Sequence, residues 1–154
     1  APFSDFSSGA VYVIYGKAGY RENVYLSELT PAIGYGIFGY EMNSRFGNSV
    51  SAVGDVNGDG VGDMLISAPY ALADMGVSYL MYGQAVHDAP SNIDISSWSA
   101  DMGVIFYGSS EKCQSGIKTI SAGDMNGDGL PDFAIGEPLA RYYLGAAESC
   151  IRLL

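Results

Sequence analysis

The sequence has few basic residues, few charges of either sign and no long apolar run. Seven Lys and Arg residues stand against 17 Asp and Glu residues among 154, and the formal charge at pH 7 is −10. Because nucleic-acid binding needs a basic surface that displaces counterions from phosphates, this balance excludes a nucleic-acid partner and favours a cationic one, such as a divalent metal ion. No run of 18 apolar residues occurs, so the sequence predicts no membrane-spanning helix.

Histidine and cysteine are scarce, which removes most catalytic arrangements. The one histidine, His87, stands beside Asp88 in a polar stretch that is typical of a loop. The sequence contains no GxSxG nucleophile elbow and no phosphate-binding loop ending in GK[ST]. We therefore predict that the chain is not an enzyme. The two cysteines, Cys113 and Cys150, suit an oxidising compartment, and a mutual disulfide, unlinked thiols and partners in a longer chain all stay open.

The chain repeats itself. Residues 54–63 read GDVNGDGVGD and residues 123–132 read GDMNGDGLPD, an offset of 69. The pairs 24–29 with 93–98 and 34–39 with 103–108 have the same offset, and GAVYVIYG at 9–16 matches GVSYLMYG at 76–83 at an offset of 67. Several matched blocks at one spacing indicate tandem structural units.

Each unit is predicted to consist of β-strands. Residues 11–15 and 77–82 are β-branched and aromatic runs bounded by glycines, and residues 49–53 alternate with period two. Residues 64–66 and 133–135 are short apolar runs closed by Pro69 and Pro138, which lack the N–H that a strand ladder needs. No window shows a helical period. Four tyrosines, Tyr12, Tyr15, Tyr79 and Tyr82, are expected to pack between strands rather than to form a sugar-binding platform.

The two glycine-rich blocks predict metal-binding loops. Acidic and amide side chains occupy positions 1, 3, 5 and 9 of each block, and position 7 offers a main-chain carbonyl. Calcium takes six to eight such oxygen ligands, and glycines permit the tight curl that aims alternate residues at one centre. We predict two Ca²⁺ sites, the first formed by Asp55, Asn57, Asp59, Val61 and Asp63 and the second by Asp124, Asn126, Asp128, Leu130 and Asp132.

Three alternatives to calcium binding exist for these loops. An EF-hand requires a bidentate Glu at position 12 and flanking helices, but position 12 is Ile66 or Ile135 and the flanks are predicted strands. Magnesium prefers to keep several waters over a protein cage. Metal-free hairpin turns are possible because Asn-Gly and Asp-Gly favour turns, yet such turns do not require three spaced carboxylates repeated twice.

The combined pattern resembles the FG-GAP repeat, the blade unit of the integrin α-subunit β-propeller and of related surface proteins. Phe46-Gly47 stands where the FG element belongs, and residues 67–69 (SAP) stand where GAP belongs, with the loop between them. In the next unit Ser115-Gly116 and residues 136–138 (GEP) are weaker matches. The resemblance implies an all-β fold of four-stranded antiparallel propeller blades, each with a mainly structural calcium ion between its first two strands.

The predicted division of the chain gives about two and a quarter blades. Residues 1–45 form the back half of a blade, 46–114 a complete blade with its loop, and 115–154 most of a further blade with its loop. A propeller closes with about four to eight blades, so the ring is expected to be incomplete. The remaining blades would come from a larger propeller or from other copies of the chain.

The resemblance also implies a function. We expect a calcium-stabilised extracellular or cell-surface module that presents loops to a protein or glycan ligand. A structural subunit that assembles through exposed sheet edges, and an accessory propeller of a larger secreted protein, are the alternatives.

Overall fold

The computed structural model describes residues 8–16, 18, 23–84 and 92–140. Short β-strands dominate these residues, and the helical segments are single turns at Leu26–Glu28, Ala71–Asp74 and Ile95–Ser97. The all-β prediction is therefore confirmed. The strands are β1 (Ala10–Ile14), β2 (Gly34–Phe38), β3 (Val50–Gly54), β4 (Asp63–Ala68), β5 (Val77–Met81), β6 (Ile93–Asp94), β7 (Gly103–Tyr107), β8 (Lys118–Gly123) and β9 (Asp132–Gly136).

The described strands form three sheets and no closed barrel. The first sheet has the order β1-β2-β6, the second β3-β4-β5-β7, and the third contains β8 and β9. The second sheet is antiparallel throughout, which is the blade arrangement that the sequence predicts. In the described part of the chain no helix is long and apolar enough to cross a membrane.

Strand boundaries differ slightly from the predicted ones. The strands predicted over residues 11–15 and 77–82 end at Ile14 and Met81. The following tyrosines still donate backbone hydrogen bonds, from Tyr15 N to Ile33 O at 2.8 Å and from Tyr82 N to Met102 O at 2.9 Å. In the first and second sheets, backbone hydrogen bonding thus continues one residue beyond the ends of β1 and β5. The closing prolines are correctly placed, since β4 ends at Ala68, directly before Pro69.

The second sheet packs on both of its faces. One face meets the first sheet in a cluster that includes Val11, Ile37, Ile66 and Tyr79, all buried. The opposite face buries Leu65 with Val53 and Leu80 against the third sheet. Burying such a side chain contributes roughly 1.5–3 kcal/mol, so these two contacts hold the sheets together. Strands β4 and β5 are buried almost throughout because they lie between two other sheets.

The FG element fixes the backbone just before the first strand of the second sheet. Phe46 is buried and its ring lies 5.6 Å from that of Tyr79. Gly47 has φ +84° and donates its N–H to Ser67 O at 2.8 Å. A Cβ on Gly47 would lie 2.9 Å from both Ala10 O and Val11 Cγ2, so only glycine allows this approach.

The next repeat keeps this geometry although its motif is degenerate. Gly116 has φ +83° and donates its N–H to Gly136 O at 2.9 Å, the same bond one unit later. Ser115, in the place of the phenylalanine, is also buried. The glycine therefore carries the backbone geometry of the FG element, while the aromatic ring adds packing.

Candidate metal centre

Each predicted metal loop begins at a bulge in a β-hairpin. The β3–β4 register shifts between Ala52 and Gly54, and the β8–β9 register shifts between Ser121 and Gly123. Gly54 and Gly123 have φ of +82° and +71°. A glycine in this region turns the strand sharply, and such bulges re-aim the chain next to functional loops. Both loops thus begin at equivalent bulges, each with a glycine at positive φ.

In the first loop, backbone N–H groups surround the carboxylate of Asp55. Its Oδ1 accepts from Gly58 N at 2.7 Å and Asp59 N at 3.0 Å, and its Oδ2 accepts from Gly60 N at 2.7 Å. Gly58 and Gly60 have φ of +77° and +87°, which lets these N–H groups point inward. The curl expected for a metal loop is therefore present around its first position.

Positions 3 and 5 continue the same curl. Asn57 Oδ1 accepts from Asp59 N at 3.0 Å, and Asn57 Nδ2 donates to Asp59 Oδ2 at 2.8 Å. Asp59 Oδ1 in turn accepts from Val61 N at 2.7 Å. The side chains at positions 1, 3 and 5 each accept a hydrogen bond from a backbone N–H two or more residues later. The loop backbone thereby fixes which way these oxygens face.

The second loop repeats these bonds one by one. Asp124 accepts from Gly127 N at 2.7 Å, Asp128 N at 3.2 Å and Gly129 N at 2.9 Å. Asn126 Oδ1 accepts from Asp128 N at 2.9 Å, Asn126 Nδ2 donates to Asp128 Oδ2 at 3.0 Å, and Asp128 Oδ1 accepts from Leu130 N at 2.9 Å. The two sequences therefore adopt one conformation.

The ninth positions differ in their surroundings. Asp63 is 3% exposed and accepts from Val56 N at 2.9 Å and from Gly83 N at 2.8 Å. Asp132 is only half-buried and accepts from Met125 N at 2.7 Å. Gly83 follows β5, so Asp63 ties the loop to a third strand. The spacing of the acidic residues did not indicate this contact, although the repeated glycine that ends the 76–83 block was a signal for it.

The donor set of each loop fits a calcium ion. The side chains at positions 1, 3, 5 and 9 offer only carboxylate and amide oxygens, the ligands that Ca²⁺ prefers. A carboxylate has about four acceptor sites, yet among the hydrogen bonds of the described residues Asp55 accepts three and Asp59 and Asp63 accept two each. Oxygen capacity for a cation thus exists beside the bonds that shape the loop.

The structure does not gather the carboxylates into a ready ligand cluster. Within the described ranges, no group of three or more His, Cys, Asp or Glu side chains is placed to hold a metal ion. The N–H groups of Val61 and Leu130 donate hydrogen bonds to Asp59 and Asp128 within their loops. That the carbonyls of Val61 and Leu130 bind the metal ion stays a prediction. The ligand sets of both loops stay predictions.

Among the other residues singled out in the sequence, Cys113 and Tyr79 lie outside the loops. Cys113 is buried, with its Sγ 3.2 Å from Ser110 Oγ. Cys150 and His87 lie outside the described residues, so the disulfide hypothesis and the surface position of the histidine stay predictions. Tyr79 packs between strands as expected, with its ring 5.4 Å from that of Trp98.

Comparison with known proteins identifies the repeat. The FG-GAP repeat matches residues 46–81 and 118–147. The chain is similar to integrin alpha-V of Gallus gallus, with 32% identity over 101 residues, which is 64% of this chain and 9% of the relative. It is similar to integrin alpha-PS3 of Drosophila melanogaster, with 35% identity over 101 residues, 65% of this chain and 8% of the relative.

A further relative has an enzyme's name. The chain is 32% identical over 136 residues to phosphatidylinositol-glycan-specific phospholipase D of Bos taurus, which is 86% of this chain and 15% of the relative. The chain thus spans between 8% and 15% of the length of these three relatives. The predicted resemblance to the integrin α subunits is confirmed, whereas the expectation that the chain is not an enzyme stays a prediction.

Proposed function

Because this chain contains FG-GAP repeats, we propose that it is part of a calcium-stabilised β-propeller that binds protein or glycan ligands at the cell surface. The observation that carries the proposal is the repetition of one hydrogen-bonded loop geometry in two hairpins whose exposed oxygens are all hard ligands. A loop conserved in geometry across two otherwise divergent units has a common task. Divalent cation binding is the task that its chemistry supports best.

We propose the division into blades at residues 46 and 115 on the same grounds. The four strands of the second sheet, β3, β4, β5 and β7, all fall within residues 46–114. Strands β8 and β9 correspond to β3 and β4 one repeat later and carry the second loop. The back half of an earlier blade, residues 1–45, supplies β1 and β2, which correspond to β5 and β7.

In this proposal the bound calcium ions stiffen the module, and loops presented by the stiffened module bind the ligand. An ion held by the first loop would link the turn between β3 and β4 to the N–H of Gly83 through Asp63. Bound Ca²⁺ supplies positive charge that offsets the mutual repulsion of three carboxylates per loop. An extracellular or cell-surface location follows because calcium is abundant there and because the relatives include integrin α subunits. Loops held by a rigid scaffold commonly carry recognition.

The calcium sites are tested by isothermal titration calorimetry. The full chain should bind two Ca²⁺ ions and bind Mg²⁺ more weakly, because a protein cage of oxygens suits the larger ion. Asp59→Asn should lower the stoichiometry to one, because the amide keeps the acceptor for Val61 N but loses the charge. Glu28→Gln, an exposed change outside both loops, is the control and should still bind two. A chain that takes up no Ca²⁺, or an unchanged stoichiometry in Asp59→Asn, would contradict the proposal.

A further inference from the structure

A groove between the first and second sheets carries chemistry that the calcium loops do not explain. It has a volume of about 420 Å³ and is open to solvent. A volume of this size falls in the range of small-ligand sites, roughly 300–1,000 Å³. Its walls include four aromatic rings and one carboxylate. The lining residues include Tyr40, Glu41, Leu72, Tyr79, Trp98 and Tyr107.

The aromatic floor of the groove is fixed and its rim is accessible. Tyr79 is 7% exposed, and its ring lies between those of Phe46 at 5.6 Å and Trp98 at 5.4 Å. Tyr40 and Tyr107 are 57% and 62% exposed. Burial, with Tyr40, Tyr107 and Glu41 nearby, raises the pKa of Tyr79 to about 12, so its phenol stays neutral. A ligand would therefore meet a buried aromatic base and two solvent-accessible rings at the rim.

The wall beside Glu41 is a strained turn. Leu72, Ala73 and Asp74 follow one another with φ of 53°, 57° and 63°, a left-handed conformation that costs an L-residue about 1–2 kcal/mol. Lys112 N donates to Ala73 O at 3.2 Å, and Leu72 N donates to Glu41 Oε1 at 2.8 Å. Strain of this kind concentrates at ligand clamps. The hydrogen bond from Leu72 N also holds the carboxylate of Glu41 at the groove.

The electrostatics of the groove favour a cation. Among the described residues that line the groove, Glu41 is the one charged side chain and none is Lys or Arg. The faces of electron-rich rings attract ammonium and guanidinium groups, and a carboxylate adds Coulomb attraction. A phosphate-bearing head group would be repelled by a chain of formal charge −10.

The hydrogen bond to Leu72 leaves Glu41 able to bind a cation. A carboxylate has about four acceptor sites, and one oxygen of Glu41 accepts the N–H of Leu72. We propose that this groove binds a cationic side chain, lysine or arginine, of a protein partner, with the charged group over the rings of Tyr40 and Tyr107 and beside Glu41. The inference deepens the proposed binding function and rests on it.

The single tryptophan of the chain makes the groove directly measurable. Trp98 lines it, so its fluorescence reports occupancy without a label. In the calcium-loaded full chain, Nα-acetyl-lysine methylamide should produce a saturable change in Trp98 emission, and the uncharged norleucine analogue should not. The arginine analogue should also produce a saturable change, because ring faces and a carboxylate attract both cations. Inorganic phosphate and a neutral disaccharide should leave the emission unchanged.

Matched variants separate charge from packing. Glu41→Gln keeps an acceptor for Leu72 N and removes only the charge, and it should weaken lysine-analogue binding by about tenfold. Tyr107→Leu should weaken it to a similar extent. The controls Glu28→Gln and Tyr25→Leu change an exposed charge and an exposed ring outside the groove and should bind like the parent.

Several outcomes would overturn the proposal. They are equal binding of the lysine and norleucine analogues, an unchanged affinity in Glu41→Gln, or a response to inorganic phosphate or the disaccharide in place of lysine. If Tyr107→Leu fails to fold, Glu41→Gln still decides. A flat titration in a chain that binds two Ca²⁺ ions would refute the groove alone, whereas the loss of calcium binding would refute the proposed function itself.

Discussion

Asp63 shows at the residue scale how a metal-loop side chain also serves the fold. Its buried carboxylate accepts hydrogen bonds from Val56 N and Gly83 N, whereas Asp132, its counterpart, is less buried and is bonded to Met125 N. Loss of a buried acceptor leaves its donors unsatisfied, which costs about 1–3 kcal/mol. The first loop is therefore coupled to β5 by a bond that has no described equivalent in the second.

The difference predicts unequal effects of one substitution. In chelator, where no metal contributes, Asp63→Ala should lower the free energy of unfolding by about 3 kcal/mol and Asp132→Ala by about 1 kcal/mol. Urea denaturation monitored by circular dichroism measures both. Equal losses at the two positions would show that the Gly83 bond adds no stability.

Residue conformations outside the motifs also follow the repeat. Asn43 and Arg45 have φ of 63° and 53°, and Lys112 and Gln114, 69 residues later, have φ of 63° and 53°. Their side chains share no chemistry, so the sequence could not predict this match. Left-handed backbone at non-glycine residues is imposed by the surrounding structure. The guanidinium of Arg45 lies 4.3 Å from the centre of the Tyr70 ring, a cation–π contact that supports the first copy.

At the scale of elements, a row of hydroxyls joins the second sheet to the third. Ser49 Oγ and Thr119 Oγ1 are 2.9 Å apart, Thr119 N donates to Ser49 Oγ at 3.0 Å, and Ser51 Oγ donates to Thr119 O at 2.7 Å. Thr119 is buried. Sheets that were joined only by apolar contacts could slide, whereas these bonds set the register of β3 against β8.

A double-mutant cycle tests this role. Ser49→Ala combined with Thr119→Val should show an interaction free energy of about 1 kcal/mol in urea denaturation. Thr119→Val is isosteric and leaves packing largely intact. As a control, Ser97→Ala, which removes a hydroxyl bonded to Asp94 O, should add to Thr119→Val within about 0.5 kcal/mol. Simple additivity of the Ser49 pair would mean that the hydroxyls do not couple the sheets.

The elements differ in how well the sequence predicts them. Strands β1, β3, β4, β5 and β9 were each predicted to within a few residues because β-branched runs and period-two alternation mark them. Strand β6 was not predicted, since Ile93–Asp94 is too short to show a period. It pairs in parallel with β2, a contact between units that depends on their packing.

The candidate site likewise has features that the sequence predicted and features that it did not. The spacing of acidic residues and glycines predicted both loops, and the structure gives the two loops the same hydrogen bonds. The spacing could not reveal Gly83 as a partner of Asp63, because that contact joins residues 20 apart on different strands. The aromatic groove was equally hidden, since its walls come from four separate segments of the chain.

At the scale of the whole molecule, three sheets related by the repeat share two interfaces and two loops of one geometry. We expect calcium to connect the loops to the packing between sheets, because each ion would tie a loop to a hairpin that contributes to that packing. A ligand that binds only the folded state stabilises it by mass action, by about 2.7 kcal/mol per site at a concentration 100 times its Kd.

Thermal unfolding with and without calcium tests this claim most directly. The melting temperature of the full chain should rise when excess Ca²⁺ replaces chelator, and Asp59→Ala combined with Asp128→Ala should abolish most of the rise. The control that combines Glu28→Ala with Asp101→Ala removes the same number of exposed charges outside the loops and should keep it. A melting temperature that is the same in calcium and in chelator would contradict the account.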